Sequence, residues 1–382
     1  MRLHAFTVFS VLAFASFASG CSGSTGDDAP AAEAVDELRG PGAGATDRRG
    51  PELGPDLKVL RASKISLAEG VAQAEAENGP VIEAKFELND DKQLSLSIYP
   101  AGKSLAFDAE RNVFQELSGD PSAAPFAGSL DSFQDQEHLT RSSRDLTLVQ
   151  LSRLSLAEAI ERVSYNGDAF WAIPTLRHGR AGYGVYTARG KQQRWYFVDG
   201  GGSRSVTKFY PKDLGDGPGS LATDARVPEL GPNLSVLNCS KISMSDALEQ
   251  AEEAYGALIE AKFELGDDGK LSLSIYPVGK GLDVDAERNT FFEAAGDPTA
   301  GVFRPALSEF KVPDVEHLTR SARDLTIVQA AGLSLREAVS AAEHALPGGF
   351  VFWAIPTIRD TRAGYGVYVY GTDKKAHYFF IS

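Results

Sequence analysis

The charged side chains best spaced for chemistry sit in one doubled run. It reads Glu137-His138-Leu139-Thr140-Arg141-Ser142-Ser143-Arg144-Asp145 and returns as Glu316-His317-Leu318-Thr319-Arg320-Ser321-Ala322-Arg323-Asp324. Two arginines three apart beside an acid can clamp a carboxylate or phosphate with paired N–H donors. The same residues can instead form internal ion pairs that fix the junction between two structural units, and the spacing favours this plainer reading. One Glu and one His side by side are too few for a structural zinc site. His138 and His317 therefore read as polar residues opening a strand or turn. Asp90-Asp91 and Asp267-Asp268 lack the alternating ligands and terminal Glu of a calcium loop and read as hairpin turns. No HExxH, CxxC, GxSxG, P-loop or strand-linked GxGxxG pattern occurs. No catalytic residue, metal or cofactor is expected. An enzyme built on Glu137-His138 with Arg141 and Arg144 is the remote alternative.

The aromatic residues Trp171, Tyr183, Trp353 and Tyr365 read first as core or sheet-face residues. With Arg141, Arg144, Arg320 and Arg323 they are also the candidates for contact with a protein partner, because Trp, Tyr and Arg dominate interface hot spots.

These residues come in pairs because the chain is duplicated. PELGPDLKVL (51–60) returns as PELGPNLSVL (228–237), IEAKFEL (82–88) as IEAKFEL (259–265), and AGYGVY (181–186) as AGYGVY (363–368). The offset is 177 at Pro51/Pro228, 179 at His138/His317 and 182 at Trp171/Trp353. The insertions fall near 122–137 and 163–170, which predicts surface loops there. A residue present in one copy alone cannot be essential to the shared unit. This sets aside His178, His344, His377 and Cys239. Cys239 stands where the first copy has Ala62, and reads as a buried or incidental thiol.

The elements that would position these side chains follow from local patterns. Ser66 precedes Glu69 by three residues, as Ser155 does Glu158 and Ser334 does Glu337, which is the spacing of a helix capping box. Ser243 with Asp246 has a shorter acid and is an imperfect match. Leu156, Ala159, Ile160 and Val163 then fall on one helical face. Ile82, Ala84, Phe86 and Leu88 alternate with Glu83, Lys85 and Glu87, which predicts a strand with one buried and one wet face. Each helix is followed by several strands, so the expected fold class is α+β: tandem units of one helix packed on a three- or four-stranded antiparallel sheet. Copy one is placed at 51–200, with units at about 56–115 and 146–199. Copy two is placed at 228–382, with units at about 233–292 and 325–381. The linker at 201–227 predicts two bodies free to move.

Arg2 and His4 precede an apolar stretch, Ala5–Phe17, too short to span a membrane and read as the core of a signal peptide over 1–20. Ala18-Ser19-Gly20-Cys21 resembles a bacterial lipoprotein signal, although Ala18 stands at the usual Leu position. The resemblance implies lipidation of Cys21 and anchorage to the membrane. Ser22 is similar to the residue that follows the lipidated Cys in outer-membrane lipoproteins, so the expected address is the cell envelope, on the outer membrane facing the periplasm or the cell surface. There are two Cys in all, so a lipidated Cys21 leaves Cys239 without an intrachain partner. Residues 21–50 read as a flexible tether. The net charge of −14 disfavours nucleic acid as a partner.

The run Lys64-Ile65-Ser66-Leu67, a helix, Ile82–Leu88, an acidic turn and Leu94–Pro100 resembles the PepSY domain. The match repeats at 241–277, with Met244 in place of the Leu. Units at roughly 146–199 and 325–381 are similar but divergent, with Phe-Trp-Ala-Ile-Pro-Thr in place of Ile-Glu-Ala. The resemblance implies a module that binds and restrains peptidases and has no catalytic residues to carry over. No protease domain follows, so a propeptide role is not expected. The expected function is a non-enzymatic, lipid-anchored binding module of the cell envelope, a candidate peptidase inhibitor. A structural or assembly lipoprotein is the alternative.

Overall fold

The computed structural model describes residues 35–38, 41, 45, 47, 49–53, 57–200, 212–215, 217–218, 222–224, 226–231 and 233–382. The expected signal peptide, Cys21 and most of the expected tether lie outside the described residues. The chain is mixed α and β, with two antiparallel sheets of eight strands each.

In copy one, strand β1 (Val35–Leu38) comes first and helix α1 (Leu67–Asn78) follows. Next come β2 (Val81–Leu88), β3 (Leu94–Pro100), β4 (Gln115–Gly119) and β5 (Gly128–Ser132). Helices α2 (Gln136–Ser152) and α3 (Leu156–Val163) lead into β6 (Asp168–Arg177), β7 (Arg180–Arg189) and β8 (Gln192–Asp199). The sheet order is β1-β8-β7-β6-β2-β3-β4-β5. Copy two repeats it. β9 (Lys212–Asp213), α4 (Met244–Tyr255), β10 (Leu258–Leu265), β11 (Leu271–Pro277), β12 (Phe292–Gly296) and β13 (Ala306–Glu309) come first. Helices α5 (Val315–Ala331) and α6 (Leu335–Ala345) follow, then β14 (Phe350–Arg359), β15 (Arg362–Tyr370) and β16 (Ala376–Ile381).

The caps form where the spacing predicts them. Ser66 accepts from Glu69 N while Glu69 takes the Ser66 N–H at 2.7 Å, and Ser155/Glu158 and Ser334/Glu337 do the same. At α4 the Ser243 side chain accepts from Asp246 N. The shorter Asp246 carboxylate accepts from the Ser243 hydroxyl at 2.7 Å. The helices then bury one stripe: Leu67, Val71 and Ala74 from α1, and Leu156, Ala159, Ile160 and Val163 from α3. Each Leu, Ile or Val so buried contributes roughly 1.5–3 kcal/mol, more than a cap at about 1 kcal/mol, so packing decides and capping sets the ends. Helix α1 lies against β2 and β3 and helix α3 against β6, β7 and β8, and the two helices touch. The strand sets join through antiparallel pairing of β2 with β6, Ala84 opposite Ala172. The doubled Ala-Gly-Tyr-Gly of β7 and β15 has a steric cause. A Cβ on Gly184 would sit 2.7 Å from the Trp195 ring, and one on Gly366 would strike Tyr378.

Three expectations are corrected. First, the polar face of β2 is not wet: Glu83 and Lys85 are buried. The segment Asp47–Leu53 covers it, with Lys85 on Glu52 at 2.9 Å and the Tyr186 hydroxyl donating to Arg49 O at 3.1 Å. Second, His138 and His317 open no strand. They stand in the first turns of α2 and α5, capped by Asp135 and Asp314. Third, residues Glu33–Ser382 form one compact unit rather than two free bodies. Helix α2 packs on α5, each also touching the short 3-10 turn (Ala286–Arg288 or Ala109–Arg111) of the opposite copy. Ser143 Oγ donates to Thr319 O at 2.5 Å, where Thr319 is the counterpart of Thr140. The matching contacts of α2 and α5 with the opposite copy's turn mark a self-complementary interface, that of a twofold dimer fused into one chain.

A half chain, residues 33–200, should therefore associate with itself through α2. Sedimentation should show a monomer–dimer equilibrium that weakens with salt, and Arg144→Ala should shift it to monomer.

Candidate functional site

The doubled arginines of α2 and α5 are buried in two matching ion-pair clusters at the joint between the copies. Arg144 projects from the middle of α2 and is fully buried. Its Nη2 donates to Asp47 Oδ2 at 2.8 Å and to Pro174 O at 3.2 Å, and its Nε donates to Asp145 Oδ1 at 3.0 Å. Its Nη1 reaches Glu287 of the other copy at 3.5 Å. Arg323 repeats this on α5, with Asp224 Oδ2 at 2.8 Å, Pro356 O at 3.1 Å and Asp324 at 3.5 Å. Crossing in the opposite direction, Arg320 Nε donates to Glu110 Oε2 at 2.6 Å.

The chain ahead of each copy supplies the second layer. Arg49 holds Asp47 at 2.7 Å, lies 3.7 Å from Glu83 and places its guanidinium 5.7 Å from the Trp171 ring centre. Trp171 Nε1 donates to Glu83 at 2.9 Å. Arg226, Asp224, Glu260 and Trp353 reproduce the set, with Trp353 Nε1 donating to Glu260 at 2.8 Å. Arg141 stacks over Tyr99, its guanidinium 5.7 Å from the ring centre.

Around Arg144, three guanidiniums of copy one (Arg49, Arg141, Arg144) stand among three carboxyls of the same copy (Asp47, Glu83, Asp145) and Glu287 of the other. Burial would raise the Asp47 carboxyl, but Arg144 and Arg49 overcome it and hold it well below the usual carboxylate range. Burial pushes Asp145 well above that range, with Glu83 adding to the rise, against the pull of Arg144. Asp224 and Asp324 divide in the same way.

All eight candidate partner contacts are interior: Arg141, Arg144, Trp171, Tyr183, Arg320, Arg323, Trp353 and Tyr365 are each at most 8% exposed. None is open to a partner in the folded chain. The structure gathers Arg141, Arg144 and Trp171 into one cluster and their counterparts into a second. Tyr183 and Tyr365 lie in the two apolar cores. His138 stands apart from Arg144: its Nδ1 bonds Asp135 at 2.8 Å and its ring stacks on Phe133 with centres 4.8 Å apart. Cys239 is exposed, not buried. Among the described residues, no group of three or more His, Cys, Asp or Glu is arranged to hold a metal, and no helix is long and apolar enough to cross a membrane.

Sequence reasoning missed Asp47, Arg49, Asp224 and Arg226 by assigning them to a tether and a linker. The signal was present. Ala45-Thr46-Asp47-Arg48-Arg49 returns as Ala222-Thr223-Asp224-Ala225-Arg226 at the same offset of 177, so the duplication starts well before Pro51. Ala45 bridges Arg177 and Ala222 bridges Arg359 in matching places.

No family model matches the chain, and no curated protein or solved structure resembles it at a significant level.

Removing Asp47 leaves the buried Arg144 and the half-buried Arg49 short of an anion, so Asp47→Asn should cost about 3–5 kcal/mol at neutral pH. A lowered folded pKa contributes stability above the unfolded value near 4, lost as pH falls through the folded value. The deficit in urea unfolding should therefore narrow below about pH 4. Asp145 is shifted the other way, so its contribution is present in acid and lost as pH rises. Asp145→Asn should cost less than Asp47→Asn at neutral pH.

Proposed function

We propose that this chain is a non-enzymatic, lipid-anchored binding protein of the bacterial cell envelope, built from PepSY-like units, with an envelope protein, a peptidase foremost, as its partner. One observation carries the reading: the doubled Arg144 and Arg323, best suited by type and spacing to clamp an anion, are buried in internal ion pairs. Binding then falls to the outer surface. Strands β5 and β13 end their sheets and are solvent-exposed along their whole length, with Leu130 40% and Leu307 46% exposed. An edge strand offers unpaired backbone N–H and C=O groups to an extended segment of another protein. The N-terminal Ala-Ser-Gly-Cys21 and the capped-helix and strand pattern at 64–100 and 241–277 support the address and the unit type.

A second reading is a structural or assembly lipoprotein. It is favoured by the twofold relation of the two edges, which suits bridging two components at once.

Mass spectrometry of the mature protein should find Cys21 acylated at the N-terminus, and Cys21→Ala should move the protein to the soluble fraction. The fragment 33–382, used as bait on native envelope extract, should retain a partner. Leu130→Lys with Leu307→Lys should reduce retention at unchanged thermal stability. A peptidase slowed by the bait supports the first reading, and stoichiometric capture without inhibition supports the second. No capture by the intact fragment overturns both.

A further inference from the structure

One apolar corner is filled in copy two and open in copy one. In copy two, Phe350 and Tyr370 stand opposite each other where β14 pairs with β15. The same register positions of β6 and β7 hold Asp168 and Ala188. Phe350 sets its ring against Phe263, centres 5.1 Å apart and tilted by 59°. Phe350, Tyr370 and Leu346 all pack against the copy-two core. Copy one lacks each of these. Val351 is also cut back, to Ala169, and helix α3 has 8 residues against 11 in α6, so nothing reaches back as Leu346 does. Tyr165, which follows α3, does not take their place, because it is 75% exposed. What remains in copy one is a cavity of about 590 Å³ between the 3-10 turn Leu57–Ala62, the start of α1, helix α3 and the start of β6. Its apolar wall includes Leu57, Leu60, Ile65, Phe86 and Ile160. Copy two keeps that wall as Leu234, Leu237, Ile242, Phe263 and Val339. The wall is therefore common to both copies, and the filling belongs to one.

We infer that this cavity binds a small aromatic molecule of one or two rings, seated against Phe86. Copy two supplies the template, since there the equivalent Phe263 carries the protein's own ring in the tilted geometry that aromatic pairs favour. Space left by a core side chain takes up aromatic molecules, because its lining regains the dispersion contacts it would otherwise lack. The size falls in the range of small-ligand sites and leaves room for both rings that copy two places there. Strand β6 pairs with β7 in the register that β14 has with β15, so the main chain keeps its course and side-chain space alone is open. That suits a free ring better than a ring borne on a second backbone. Arg61, Lys64 and Asp168 stand at the rim and are exposed, of both signs, and they leave the ring rather than a charge as the group recognised. A hydroxyl on the ligand would stay at this rim in water. The inference goes beyond the envelope reading and does not rest on it.

Calorimetric titration of fragment 33–382 with 2-naphthol tests it. Dodecanoate serves as the acyl-chain arm and N-acetyl-tyrosine amide as the ring on a peptide backbone. Saturable one-to-one binding of 2-naphthol is expected, with both other probes weaker. Asp168→Phe with Ala188→Tyr copies the filling of copy two, and should abolish binding and raise the melting temperature. Asp168→Phe alone changes an exposed residue, which keeps the fold, and should weaken binding about tenfold. Absence of saturable binding up to the solubility limit of 2-naphthol, tighter binding of dodecanoate or of the tyrosine amide, or undiminished binding by folded Asp168→Phe would overturn the inference.

Discussion

Arg144 and Arg323 are permanently charged and lie where water does not reach. A lone guanidinium in that setting is prohibitively costly, so everything near it has to answer its charge. Each is met by an acid on its own helix, by an acid from the chain ahead of its copy and by a backbone carbonyl from the sheet. The joint therefore constrains the whole molecule. It fixes where α2 and α5 cross, it draws Asp47 and Asp224 onto the sheet, and it needs Glu287 and Glu110 from opposite copies. Loss of any one partner is felt on both sides of the interface.

The apolar framework was legible. Ser-x-x-Glu caps, the helical stripe of α3 and the alternation of β2 and β3 each reflect a surface that meets an apolar core. Helix α2 was not legible, because its neighbour is its own twin. Thr140, Arg141, Ser143, Arg144, Asp145 and Thr147 are buried as well as the core-facing Leu139, Leu146 and Val149, so the helix is buried well beyond its apolar stripe. The wet-face reading of β2 failed for the same reason. Glu83 and Lys85 alternate like surface residues, yet their partners arrive from a segment whose Gly, Pro and charge content imitates a tether. Composition described that segment poorly, while its repetition at a constant offset described it well.

Asymmetry within the pair is informative. Ser143 spans the joint to Thr319, while the matching position holds Ala322 and makes no such bond. Glu287 meets Arg144, whereas Glu110 meets Arg320 rather than Arg323. A dimer of identical chains would carry every such change twice. Here each half has been free to settle its own share of the contacts.

That the two halves share one backbone also alters what their interface has to achieve. Separate subunits joined by so many ions would part on dilution and with salt. Tethered halves meet at an effective concentration in the millimolar range, set by the connecting segment and indifferent to how much protein is present. Ion pairs that hold a free partner only at high concentration are then sufficient to keep a tethered one in place. The duplication thus lets a polar seam hold at any concentration of the protein.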